Sequence, residues 1–278
     1  NMQDVLLNAK SDYVRSEPIQ RIRRILTKAD PEAFKCFVWP DNVITIPFDS
    51  KCIWGKCRFC EYCINDDIDF TKGLSAEQII DAIWDTCNKL NSYVVFFADD
   101  YFYFTPKRIK ILETLINRGV KFVCQSGVRL LRDEAYAEKM CKYFYYFAVG
   151  LEAATDFTLQ QFNKGFTWND IQKAFENIKK YYNNNTVTIN IIVDGPAESV
   201  ENANLNYRRL LDIKRDLESR NMKMIHTISI LQLRNQRMFD EFAALGYIRK
   251  PESNILSGKN RIVEELKKYL DVPFGWDG

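Results

Sequence analysis

Val43-Ile-Thr-Ile-Pro-Phe48, then Cys52-Ile-Trp-Gly-Lys-Cys57-Arg-Phe-Cys60-Glu-Tyr-Cys63, then Ser75-Ala-Glu-Gln78 is the stretch on which the fold turns. The first piece is a short run of β-branched and apolar residues, the composition of a buried strand. The last is a capping box, and apolar Ile79, Ile80, Ile83, Trp84, Cys87 and Leu90 follow it at helical spacing. The order is therefore strand, loop, amphipathic helix, with four thiols in twelve residues of the loop. Structural zinc sites usually join two separated Cys-x-x-Cys knuckles, whereas overlapping Cys-x-x-Cys-x-x-Cys spacing is what iron-sulfur clusters use. The loop reads as a cluster cradle.

The same unit repeats along the chain. Tyr93 to Ala98 is a second strand, Thr105-Pro106 starts a helix through Ile109, Leu112, Leu115 and Ile116, and Gly119 stops it. Strand 120–125 precedes helix 131–142, strand 143–151 precedes helices within 155–182, strand 186–193 precedes helix 198–220, and strand 223–231 precedes helix 235–245. Parallel strands need crossover connections, and these are right-handed, so six such pairs wind into a parallel sheet curling toward a barrel. The expected class is α/β, a partial (β/α)6 TIM-like barrel with parallel strands; a doubly wound open sheet is the topological alternative. In both, ligands sit at the carboxyl ends of the strands, which is where the cysteine loop falls. Domain expectations are an N-terminal helical extension over 1–41, the core over 42–249 and a C-terminal extension over 250–278.

Composition bounds the class. At 278 residues with 46% hydrophobic and 14% aromatic content, one sizeable core is affordable, and a formal net charge of +2 with no basic run gives no evident nucleic-acid footprint. The N-terminal stretch Asn1 to Arg24 is polar and charged, with no secretory segment, and no apolar run approaches the roughly 20 residues of a membrane span. A reducing, cytoplasmic setting is expected, where a Cys-dense motif is metal-binding or catalytic rather than disulfide-bonded. Cys36, Cys87, Cys124 and Cys141 sit singly in apolar or helical surroundings and read as core thiols. The chain opens Asn1-Met2, which suggests a piece of something longer.

A cysteine loop after the first strand of a repeating strand and helix chain resembles the radical S-adenosylmethionine enzymes, over roughly residues 42–245. The resemblance implies that Cys52, Cys57 and Cys60 ligate three irons of a 4Fe-4S cluster, whose fourth iron chelates S-adenosylmethionine. The usual spacing is Cys-x3-Cys-x2-Cys; this chain has Cys-x4-Cys-x2-Cys, a variant similar to members related to the cobalamin-dependent branch. Cys57, Cys60 and Cys63 form an alternative triad. The first triad is favoured because Phe59 precedes its third thiol, as an aromatic does in the family, where it lies against the adenine. Cys63 then has no assigned role.

Further segments match in order. The resemblance implies that Asp99 or Asp100, after strand two, accepts from the methionine ammonium, a charge-assisted contact. Glu152, in Val149-Gly-Leu-Glu152, stands where a polar side chain meets the ribose hydroxyls. Val193, Gly195 and Glu198 fit the family's loose Gly-x-Ile-x-Gly-x-x-Glu segment beside the adenine, with Ile191 in place of the first glycine. Arg129 and Lys164 are the cations expected to face the same cavity, where one would neutralise a cofactor carboxylate or substrate anion. His226 is the single histidine, read as a core residue, and it is not set in Asp-x-His-x-x-Gly, so this chain does not support cobalamin binding.

The implied activity is reductive cleavage of S-adenosylmethionine to a 5′-deoxyadenosyl radical that abstracts hydrogen from an unknown small-molecule or peptide substrate, with reduced flavodoxin or ferredoxin as electron donor. Methyl transfer is one implied end reaction. Two other classes stay open: a closed zinc site using all four loop thiols, and an iron-sulfur electron-transfer protein without S-adenosylmethionine chemistry.

Overall fold

The computed structural model describes residues 43–49, 52–60, 69, 71–99, 101–193 and 199–230. Six strands, β1 (Val43–Ile46), β2 (Val94–Phe97), β3 (Lys121–Gly127), β4 (Tyr146–Glu152), β5 (Thr186–Val193) and β6 (Lys223–Ile230), form one sheet in chain order. Helices link them: α1 (Ala76–Leu90), α2 (Pro106–Ile116), α3 (Val128–Leu131) and α4 (Glu134–Tyr143), α5 (Asp156–Gln161) and α6 (Trp168–Tyr181), and α7 (Val200–Ser219). A six-stranded parallel sheet in sequential order, with a helix in every described crossover after the cysteine loop, is the topology of a partial (β/α)6 barrel. The extensions expected at 1–41 and 250–278 and the helix expected at 235–245 lie outside the described residues.

Packing gathers the described residues into two compact units. The first holds those up to 49, those from 69 to 125, and 139–147. Ser75 caps α1 by accepting from the Gln78 N–H (3.1 Å) while its own N–H donates to Gln78 Oε1 (2.9 Å), so two otherwise orphaned donors are satisfied reciprocally. Ile79, Ile80, Ile83 and Cys87 then fall on one buried face. Thr105 caps α2, with Pro106 at its first position and Ile111, Leu112 and Leu115 buried. Beneath lies an aromatic core: Phe97 meets the rings of Phe48 (4.7 Å), Phe102 (5.0 Å) and Phe122 (5.2 Å). Each fully buried ring contributes roughly 1.5–3 kcal/mol. Cys87, Cys124 and Cys141 are buried here as the core thiols expected, and burial pushes Cys87 and Cys141 up to about 12, which makes them inert.

Several boundaries differ from expectation: the helix expected at 131–142 is two, Val128–Leu131 and Glu134–Tyr143, and the strand expected at 120–125 runs Lys121–Gly127. The strand expected from 143 begins at Tyr146, because the Phe144 N–H still donates to the Met140 carbonyl (3.0 Å) and keeps Tyr143 in the helix. The run Tyr143 to Phe147 is thus the end of α4 and the start of β4, with Phe144 and Phe147 buried and Tyr145 exposed.

The second unit holds 52–60, 126–138 and the described residues from 148 onward. β5 and β6 pair in parallel from Thr186 opposite Lys223 to Val193 opposite Ile230. A second capping box, Thr167 with Asp170, starts α6, whose Ile171, Ala174, Phe175 and Ile178 are buried. Asn177 donates to the carbonyls of Leu131 and Arg132 (both 3.0 Å), ties α6 to the end of α3, and satisfies its own buried amide.

Candidate cofactor site

The cysteine loop is held by the turn that links α5 to α6. The Arg58 N–H donates to the Phe162 carbonyl (3.1 Å), and the Arg58 guanidinium donates to the carbonyls of Gln160 (3.2 Å) and Gln161 (2.7 Å), where a cation suits the carbonyls at a helix end. The Asn163 side chain donates to the Lys56 carbonyl (2.8 Å), and the Trp54 indole N–H donates to the Asn163 carbonyl (2.5 Å). Arg129 lies flat against Trp54, 3.5 Å from the ring centroid, and its fork donates to the carbonyls of Lys164 (3.3 Å) and Gly165 (2.6 Å). Gly165 has φ +65°, and a Cβ there would stand 1.9 Å from Arg129 Nη2 and 2.3 Å from Trp54 Cζ2. Only glycine fits that gap and that backbone.

Within the loop, Gly55 takes φ +57° and turns its N–H toward the Cys52 sulfur at 3.4 Å. Cys57 is buried and Cys52 and Cys60 half-buried; Cys63 lies outside the described residues. Among the described residues, no three His, Cys, Asp or Glu side chains gather where one metal ion would sit. Ligands of one ion must converge on a point, whereas thiolates serving different irons of a cluster stand apart at its corners. The donor set fits such a cluster: soft thiols closely spaced on one loop, one of them already accepting a backbone N–H, an interaction that tunes cluster potentials.

Beside the loop, two residues singled out in the sequence share one cation. Lys164, only 5% exposed, pairs with the Glu152 carboxylate, and its ammonium lies 5.4 Å from the ring centroids of both Phe59 and Phe166. The Phe59 ring packs edge-on against Phe162 at 5.1 Å. Glu152 ends β4 with φ +59°, a conformation costing on the order of 1 kcal/mol or more for a residue with a Cβ and kept only where the surroundings impose it. Gly150 makes the room, since a Cβ there would meet Glu152 Oε1 at 2.9 Å.

Asp99 belongs to the first unit and is fully buried. Its Oδ1 accepts from the N–H groups of Phe48 (2.6 Å) and Asp49 (3.1 Å), so it fixes the exit of β1. Among the described residues its Oδ2 finds no hydrogen-bond partner, and it stands 3.6 Å from Arg108 Nη1. Arg108 also pairs with Asp49 and lies over the rings of Phe48 (5.0 Å) and Phe102 (5.3 Å). Burial pushes Asp99 up to about 7, against the pull of Arg108. Asp100, Gly195 and Glu198 lie outside the described residues; Val193 closes β5 opposite Ile230.

The family model described as the radical SAM superfamily matches residues 52–203, from Cys52 through most of the second unit and more than half of the chain. The chain belongs to the radical SAM superfamily. Enzymes of this superfamily use a 4Fe-4S cluster and S-adenosylmethionine. No curated protein matches the chain in sequence. Among solved structures, it resembles the radical S-adenosylmethionine methyltransferase TsrM from Kitasatospora setae, with 13% identity over 73% of this chain and 36% of that one and a TM-score of 0.53. It also resembles the radical SAM enzyme coproporphyrinogen III oxidase (HemN) from Escherichia coli, with 13% identity, 82% and 50% coverage and a TM-score of 0.52. SuiB from Streptococcus suis, solved bound to S-adenosylmethionine, gives 13% identity, 84% and 48% coverage and 0.53. At these identities the likeness is one of fold, and the chain spans about a third to a half of those proteins.

Sequence reading passed over Trp54, Arg58, Asn163 and Gly165 as the residues that seat this radical SAM loop. One signal was present: Asn and Gly, the residue types that best tolerate left-handed backbone, stand two apart at 163 and 165, with φ of +54° and +65°.

Proposed function

We propose that this chain holds a 4Fe-4S cluster through Cys52, Cys57 and Cys60 and cleaves S-adenosylmethionine reductively. The observation that carries the reading is the seated thiol loop, with Gly55 donating to the Cys52 sulfur beside the Phe59, Lys164 and Glu152 cluster. The bound group supplies one electron to the sulfonium, so that a carbon–sulfur bond breaks to leave methionine and a 5′-deoxyadenosyl radical, which takes a hydrogen atom from substrate. The chain's share is to bind, orient and exclude water.

In this reading Phe59 offers its face to the adenine and Glu152 accepts from the ribose hydroxyls, aimed by its pairing with Lys164. Val193, Gly195 and Glu198 supply the segment along the adenine edge. Asp99 fixes the turn after β1, and Asp100 takes the methionine ammonium. Arg129 has its fork on two backbone carbonyls, so its part is to position the loop rather than to meet the cofactor carboxylate. Reduced flavodoxin or ferredoxin provides the electron, the substrate is a small molecule or peptide, and the setting is cytoplasmic, where thiols remain reduced. No helix among the described residues is long and apolar enough to cross a membrane.

The test is anaerobic reconstitution followed by dithionite and S-adenosylmethionine. The expected product is 5′-deoxyadenosine, lost in Cys52→Ala, Cys57→Ala and Cys60→Ala. A wild-type chain carrying a full cluster and releasing none overturns the reading. A colourless protein with one zinc assigns the loop to a structural site instead.

A further inference from the structure

We propose that Trp54, Arg129 and Gly165 form a dock that sets where Cys52 stands, and that this dock is how the loop accommodates four residues between its first two cysteines. The inference rests on the cluster reading above and concerns positioning residues, none of which touches the reacting atoms.

The three residues between Ile53 and Cys57 are each held. Trp54 is fixed on one face by the Arg129 guanidinium and at its edge by the Asn163 carbonyl. Gly55 reverses the backbone at φ +57° and donates to the Cys52 sulfur. Lys56 is fixed through its carbonyl by the Asn163 side chain. Asn163 therefore grips the insertion at two points, and the Cys52 sulfur is tied to the gripped turn by the Gly55 N–H.

Arg129 is itself immobilised. Two carbonyl partners hold its planar fork, and an ammonium could stack on Trp54 but could not make both bonds in that plane. Gly165 completes the dock by its lack of a side chain, since any Cβ would occupy the space of both Arg129 and Trp54. A merely structural anchor would stabilise the turn at 163–165. A dock that sets Cys52 must also alter how the cluster is held, because groups that orient metal ligands typically change metal retention by about 10- to 100-fold when removed.

The experiment uses the full chain, reconstituted anaerobically, as wild type, Trp54→Ala, Trp54→Phe, Arg129→Gln and Arg129→Lys. The readouts are far-ultraviolet circular dichroism, the rate of iron loss to a chelator, and the electron paramagnetic resonance spectrum of the reduced cluster with and without S-adenosylmethionine. Trp54→Ala and Arg129→Gln are expected to keep the wild-type fold, lose iron about ten-fold faster and shift or broaden the resonance. Trp54→Phe and Arg129→Lys should fall between, since one keeps the stacking face and the other the charge.

Should the first pair fail to fold, the second pair decides on the same readouts. Folded variants with wild-type iron retention and unchanged spectra overturn the dock while leaving the cluster reading intact. A wild-type chain that takes up no cluster overturns the cluster reading, and the dock with it.

Discussion

Gly165→Ala tests the geometry of the site without reference to any bound group. At φ +65° an alanine costs about 1–2 kcal/mol relative to glycine, because its Cβ crowds the following carbonyl oxygen. The added carbon would stand 1.9 Å from Arg129 Nη2 and 2.3 and 2.5 Å from two Trp54 ring carbons, so the stacked pair must part. Parting gives up the cation–π contact, about 1 kcal/mol for a half-buried pair. It also strains the two bonds from Arg129 to backbone carbonyls, each about 1 kcal/mol net. The sum is about 4–5 kcal/mol. Urea unfolding followed by near-ultraviolet circular dichroism, which reports the packed aromatic side chains with Trp54 among them, should show a lower midpoint with an unchanged slope. Gly165→Asn separates the causes, since Asn adopts the left-handed backbone readily but brings the same Cβ, and it should recover only the backbone part. An alanine variant within about 1 kcal/mol of wild type would mean that Arg129 and Trp54 are not held against Gly165.

Two further outcomes follow from buried charge. Asp99 is raised from 3.8 to about 7 in the fold, so the stability it contributes is full below about pH 4 and is lost as pH rises through about 7, at most about 4 kcal/mol at 1.36 kcal/mol per unit. Urea midpoints should fall between about pH 4 and 7, and Asp99→Asn should flatten that fall; a wild-type profile that is level or rising over this range refutes it. Glu152→Gln leaves the Lys164 ammonium buried without a counter-charge and should cost about 3–5 kcal/mol, most of it recovered by adding Lys164→Met. Additive losses in the double variant, measured by the same unfolding curves, would show that the two residues are not a pair.

Much of the fold is legible because its signals are local. Ser75, Thr105, Thr167 and Ser199 each accept from a backbone N–H three residues on, so helix starts can be found from four consecutive letters. The sequential parallel sheet follows from alternation alone, because right-handed crossovers leave few other arrangements. The boundary at Tyr143 was not legible, since five consecutive aromatic residues suit a strand as well as a helix end and a single bond to Met140 decides between them.

The spacing of the thiols, the position of their loop after β1 and the family itself are properties of letters in order, and the chain determined them by itself. How the loop is seated is not such a property. Trp54 meets residues 75 and 109 positions away, and Glu152 takes its cation from Lys164 across an intervening helix. Single Trp, Arg, Asn and Lys residues carry no periodicity to flag them. Their roles come from close packing and the need to satisfy buried polar groups, which exist only once distant segments have been brought together.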